Sequence, residues 1–312
     1  MSSSVMIAIM STVILSGASV VIPFAGIYLI TRKTEVSILS SFGLGLLAYF
    51  WSQYLLPIPL LYIITKIPGF MTIYNEDKWY VLYLLVTAIV LVSLATLARV
   101  WCVWLMNKRT PSLYRAASSA IGFAAFRAVS VFATYLSYYN YGRTYNVEGR
   151  EALVKLITAP GNVTGDNANK MIDSLLGARA FDAAMEGINV VLMLVVEIAL
   201  VVIIYEGFIQ KKTVKYSIVS GVIGFVYSFA GMLINALAGE ELGNLIPGTT
   251  CSLIYDAYLL ACALPAMWMI ISAFKKYKRA LAEGPYAQKA YFERNNRLSG
   301  DKKDEDKIKQ VL

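Results

Sequence analysis

The sequence predicts an all-α fold: a polytopic transmembrane helix bundle of about seven spans, with the N-terminus outside and the C-terminus inside. Three observations carry this. The chain is 58% hydrophobic and only 15% charged, whereas a soluble domain has roughly 25% charged residues. Its apolar residues come in uninterrupted blocks of the length a lipid-facing helix needs, about 20 residues. The basic residues that raise the net charge to +8 gather just outside those blocks. That is the pattern of cytoplasmic membrane flanks rather than of a nucleic-acid surface.

The first span covers residues 5–30. A signal peptide would have a basic start and a short apolar core. This segment has no charge before it, runs too long, and is followed by Arg32 and Lys33, so it reads as a retained span. The second span covers 37–57, where Pro57 and Pro59 are expected to break it. The stretch to Phe70 then lies at the interface, with Tyr62 and Lys66 as anchors. Further spans are expected at 80–106, 116–139, 187–209, 217–238 and 251–274.

The short connections set the orientation. One side carries Arg32 and Lys33, then Lys108, Arg109 and Arg115, then Lys211, Lys212 and Lys215, then Lys275, Lys276, Lys278 and Arg279. The other side has only Lys66 and Lys78, offset by Glu76, Asp77, Glu240 and Glu241. The first side is cytoplasmic by the positive-inside rule. These features imply a multi-pass protein of the cell membrane, with a bacterial cytoplasmic membrane as the expected location.

Residues 1–279 form the bundle and 280–312 a charged cytoplasmic tail. Within the bundle, 140–186 is read as an outer loop holding two short amphipathic helices, at 148–157 and 167–176. It can serve as a cap packed on the bundle or as a lid over an outward opening. Asn162-Val163-Thr164 matches the glycosylation acceptor pattern, which has no meaning in a bacterium.

Two runs of small residues recur every three or four positions. One is Ser37, Ser41, Gly45, Ala48 and Ser52; the other is Ser217, Ser220, Gly224, Ser228, Gly231 and Asn235. Small residues let membrane helices approach closely, because no hydrophobic force joins helices in lipid. Both runs read as packing faces, with a narrow hydroxyl-lined path as the alternative.

The chemistry is bounded by an absence: the chain contains no histidine. That removes the commonest metal ligand and the commonest general base. Cys102, Cys251 and Cys262 lie in apolar blocks and form no close pair, so neither a disulfide framework nor a thiolate site is suggested. No Gly-rich phosphate loop, haem motif or iron–sulfur motif occurs. The expectation is no cofactor, no tightly bound metal and no nucleic acid. The expected partners are the lipid bilayer and another membrane protein.

Charges within the spans are costly, about 2.5–3.5 kcal/mol each at the bilayer centre, and they usually have partners. Four stand out: Arg99, Arg127, Glu197 and Asp256. Arg127 lies roughly 17 Å and Glu197 roughly 18 Å from the cytoplasmic end of its span, at about 1.5 Å per residue. Matched depth and opposite sign predict that these two pair, as structural glue or as a functional site. Glu186, Asn189 and Glu197 share a helical face that leads outward. Arg99, nearer the inner end, either snorkels or faces the bundle. Asp256, near the outer end, either reaches interfacial water or pairs inside.

The region 80–240 carries a resemblance. Ala95-Thr96-Leu97-Ala98-Arg99 sits where a Glu-Glu-x-x-Arg motif would be, and Arg99 matches. Gly122-Phe123-Ala124-Ala125-Phe126-Arg127-Ala128 sits where a Gly-His-x-x-x-Glu-Ala-like motif would be; Gly122 and Ala128 match. With its helix order and long outer loop, this resembles the YhfC family of glutamic-type intramembrane metalloproteases, relatives of the CAAX-processing proteases. Phe123 stands for the family histidine, Arg127 for the glutamate, and Glu197 falls where another histidine is expected. The resemblance therefore implies a degenerate member. Loss of the water-activating glutamate and the metal-holding histidines should abolish metal-assisted hydrolysis. Arg127 would repel a divalent cation.

The resulting reading is a non-catalytic, pseudo-protease-like membrane protein that binds a protein or lipid partner within the bilayer. One alternative is a permease or transport component using Glu197, Asp256 and Arg127. A third is an active intramembrane protease that works with carboxylates alone.

Overall fold

The computed structural model describes residues 1–32, 37–67, 69, 79–107, 111–160, 163–239, 242 and 245–282. Lys33, Glu76, Asp77, Lys78, Lys108, Arg109, Asn162, Glu240 and Glu241, and the tail from 283 on, lie outside the described residues. The helices are α1 (Ser3–Thr31), α2 (Ile38–Phe50), α3 (Pro57–Thr65), α4 (Tyr80–Asn107) and α5 (Leu113–Glu148). They continue as α6 (Arg150–Thr158), α7 (Gly165–Gly177), α8 (Ala180–Ile209), α9 (Thr213–Ala236) and α10 (Gly248–Ala282). There is no strand among the described residues. Among the described residues, seven spans are long and apolar enough to cross a membrane, with α2 and α3 together making one. The all-α, seven-span bundle expected from hydropathy is therefore the observed fold.

Three boundaries differ from expectation. The second span does not stop at Pro57. A π-helical turn, Trp51–Leu55, links α2 to α3, with the Leu56 amide donating to the Trp51 carbonyl at 2.9 Å. Pro57 then begins α3, where its missing N–H leaves no hydrogen bond unmade. The fourth span does not stop at Tyr139 but runs to Glu148, because only Gly149, at φ +86°, turns the chain. At about 1.5 Å per residue, this 36-residue helix is longer than a hydrocarbon core of about 30 Å. Its far end projects past the lipid. Likewise α8 begins at Ala180, so much of the expected outer loop is helical extension of the spans on either side.

The chain divides into two compact units whose boundaries fall inside α1, α5 and α8. One comprises Met1–Pro23 and Ala125–Met193; the other comprises Phe24–Ala124 and the described residues from Leu194 on. In the first unit, Thr12 on α1 donates its hydroxyl to the Ala183 carbonyl of α8. A Cβ on Gly187 would lie 3.0 Å from the Thr12 Cα, so these two backbones are in direct contact. The short helices α6 and α7 close on Leu153, Ile157, Ala168 and Ile172. Arg150 joins them outside, 2.8 Å from Asp173 and 3.0 Å from Asn169. Thr164 caps α7 by accepting from the Asn167 amide at 3.4 Å. Both amphipathic helices expected from sequence are thus present.

In the second unit the small-residue stripe of α2 is buried at Ser41, Gly45, Ala48 and Ser52. It meets a matching stripe on α5. A Cβ on Gly45 would collide with the Ser119 carbonyl, and one on Gly122 with the Phe42 carbonyl. Ser118 adds a hydrogen bond to the Ile38 carbonyl at 3.0 Å. On α9, Ser220, Gly224 and Gly231 are buried, Ser228 is half-buried and Asn235 is exposed, so that packing face ends before Asn235. Ser220 donates to the Leu200 carbonyl of α8 at 3.1 Å. The outward faces carry Ile218, Val222 and Val226 on α9, and Ile254, Leu264 and Trp268 on α10. Such apolar exposure suits lipid and would be unstable in water.

The glycine contacts generate a direct test. Gly45→Ala and Gly122→Ala each place a methyl group against rigid backbone, so each is expected to destabilise the bundle by at least the 1–3 kcal/mol typical of overpacking. Gly221→Ala, whose nearest neighbours would be 3.6 Å away, is expected to be neutral. Thermal unfolding of detergent-purified variants checks this. Equal melting temperatures for all three would contradict the close α2–α5 contact.

Candidate functional site

The polar centre of the second unit is an ion pair between Arg99 on α4 and Glu197 on α8. Arg99 Nε donates to Glu197 Oε2 at 3.0 Å, and Nη2 donates to Oε1 at 2.9 Å and to Oε2 at 2.8 Å. Both carboxylate oxygens are engaged by one guanidinium face. This fork-to-fork geometry is the strongest form of the pair. The side chains are only 5% and 18% exposed, so the charges are largely withdrawn from any surrounding medium.

Three neighbours complete the site. The Arg99 guanidinium carbon lies 4.9 Å from the centre of the Phe123 ring, within cation–π range. Phe123 is held there by the glycine contacts of α2 and α5, and packs with Ala48, Ala95 and Cys102. Opposite, α9 presents Gly224, where a Cβ would sit 4.0 Å from Arg99 Nη1. Arg99 therefore faces the bundle rather than snorkelling. Its Nη1 is buried without a hydrogen-bond partner among the described residues.

The sequence expectation named Arg127 as the partner of Glu197; the guanidinium that holds this carboxylate is that of Arg99. Depth was matched between Cα positions, and the long arginine side chain makes that unreliable. Side chains lean toward the N-terminus of their helix, which carries Arg99 from the C-terminal part of α4 toward its middle. Arg127 is exposed on α5 and belongs to the first unit, as do the half-buried Glu186 and the buried Asn189 on α8. Asp256 is buried on α10. Phe123 entered the sequence reading only as a missing histidine, although an aromatic ring is itself a neighbour for a buried cation.

Two cavities accompany the helices. In the first unit, a half-open pocket of about 490 Å³ beside α7 is lined by Ile9, Tyr135, Tyr138, Ile172, Lys170 and Asp182, among others. In the second, a groove of about 620 Å³ runs between α4 and α9. No group of three or more Cys, Asp or Glu residues placed to hold a metal occurs among the described residues.

The fold and this apolar exterior define an integral, multi-pass membrane protein. Compared with protein-family models, curated proteins and solved structures, the chain matches none.

A buried pair adds little net stability, since desolvation offsets attraction, but breaking one orphans a charge at about 3–5 kcal/mol. Arg99→Ala and Glu197→Ala are each expected to cost that much, and the double substitution less than either. A double-mutant cycle on unfolding free energy checks this; additive losses would contradict the pairing.

Proposed function

We propose that the chain is a non-catalytic membrane protein that binds a lipid or protein partner within the bilayer. Its scaffold is like that of the YhfC-type glutamic intramembrane metalloproteases. The observation that carries this reading is the state of Glu197, held on both oxygens by Arg99. A general base or a metal ligand must present a free lone pair to water or metal. Three of the roughly four lone-pair sites of the Glu197 carboxylate accept from the Arg99 guanidinium. The same engagement argues against Glu197 as a proton or cation relay. In the resemblance, Arg99 matches the arginine of the first motif, and Glu197 falls where a histidine is expected. A salt bridge there replaces metal chemistry with a structural lock.

The N-terminus is outside and the C-terminus is in the cytoplasm in this proposal. The charge asymmetry of the short connections supports it. A local contact fits the alternation of spans in either orientation: the Met1 ammonium donates to Asn146 Oδ1 at 2.7 Å, and Asn146 donates back to the Met1 carbonyl at 3.2 Å. That contact puts the start of α1 and the end of α5 on one side, as alternating spans require.

Proteome-wide identification of new N-termini tests the absence of catalysis. Membranes containing the wild-type chain, E197Q or no chain are expected to give the same set of membrane-protein N-termini. Cleavage products present only with the wild-type chain, and lost in E197Q at equal folded amounts, would overturn the reading.

A further inference from the structure

The groove between α4 and α9 has a polarity that follows its length. Its walls are apolar, with Val92 and Val100 on α4 and Ile218 and Val222 on α9. Four hydroxyl-bearing residues interrupt them, Ser93 and Thr96 on α4 and Thr213 and Ser217 on α9. Thr96 Oγ1 and Ser217 Oγ line the groove, and both are buried without a hydrogen-bond partner among the described residues. Ser11, Thr31, Ser137 and Ser252 return their hydroxyls to the carbonyl four residues earlier, the ordinary solution for serine and threonine in a membrane helix. Thr96 and Ser217 keep theirs unused. Gly221, between them, leaves the space open, since a Cβ there would still be 3.6 Å from Thr96.

Only one end of the groove is charged. It reaches Thr213 and Val214 at the start of α9, beside the exposed Lys211, Lys212 and Lys215. Trp101 and Trp104, exposed on α4, lie toward the same end and suit a membrane–water boundary. The opposite end is closed by Ile89 and Phe225, which are uncharged. Cations at the boundary, hydroxyl donors about a turn further in and an apolar trough beyond follow the order of a lipid: phosphate, glycerol ester, acyl chain.

We propose that the α4–α9 groove is a binding site for an anionic phospholipid. The phosphate meets Lys211, Lys212 and Lys215. The ester carbonyls accept from Ser217 and Thr96, and an acyl chain lies against Val92, Ile218 and Val222. This assignment rests on the reading of the chain as a protein that binds a partner in the bilayer, and it names that partner.

The test uses the full chain in nanodiscs of equal phosphatidylglycerol and phosphatidylcholine, with retained lipid read by native mass spectrometry after release. Wild type is expected to retain phosphatidylglycerol about tenfold over phosphatidylcholine. Replacing all three lysines with glutamine should bring that ratio close to one. S217V together with G221L, which fills the groove, should remove the retained lipid. If that variant fails to fold, T96V with S217A tests the same donors with almost no change in volume and should lower retention severalfold. A wild-type ratio of one, or full retention in a folded variant with the groove filled, would overturn the proposal. A wild-type chain that shows no lipid preference but crosslinks to one membrane protein sinks the lipid assignment and leaves the wider reading standing. Selective lipid retention together with cleavage that depends on Glu197 supports the groove and sinks the non-catalytic reading instead.

Discussion

Hydrocarbon tolerates neither a lone guanidinium nor a lone carboxylate, and the second unit is arranged around bringing one of each together. Arg99 and Glu197 lie 98 positions apart in sequence and on different helices, so their contact forms only when α4 and α8 are packed. Once it forms, both oxygens and two of the three guanidinium nitrogens are engaged. The net gain is small because desolvation offsets attraction. The penalty for misplacing either helix is large, so the pair acts mainly on register and specificity.

The packing around the pair follows from small residues. Gly45 and Gly122 let α2 and α5 touch along their backbones, which sets Phe123 beneath the guanidinium. Gly224 on α9 leaves room for its remaining nitrogen. Aromatic, glycine and ion-pair positions thus answer one constraint from five helices. The same economy leaves open space along α9 at Gly221, where the seam with α4 becomes a groove instead of a closed contact. The close-packed polar core at Gly224 and the lipid-facing groove at Gly221 are thus neighbours on one face of α9.

Much of the fold was legible because bilayer thickness imposes a length on each span, and uninterrupted apolar blocks report that length directly. The small-residue stripe of α2 was legible for a similar reason, since close approach in lipid requires small side chains. The ends of α5 and α8 were not. Past the hydrocarbon, polar residues are compatible with helix, and Tyr139 to Glu148 contains no proline to stop one. Pro57 was read as a break, yet a π turn before it lets the helical path continue. In the candidate site, Arg99 and Glu197 were both legible as intramembrane charges. Their pairing was not, because residue depth along a helix does not give the depth of an arginine's charged end. Phe123 and the unused hydroxyls of Thr96 and Ser217 depend on three-dimensional neighbours that no spacing rule reveals.

One specific guanidinium–carboxylate contact, Arg99 to Glu197, sets the register of the second unit. Exchanging its charges tests this most directly. R99E alone and E197R alone each place like charges together in a buried site, and each should sharply lower the melting temperature of the purified protein. The R99E/E197R exchange restores opposite charge at the same location and should recover a substantial part of the loss. An exchanged protein no more stable than the worse single variant would contradict the account.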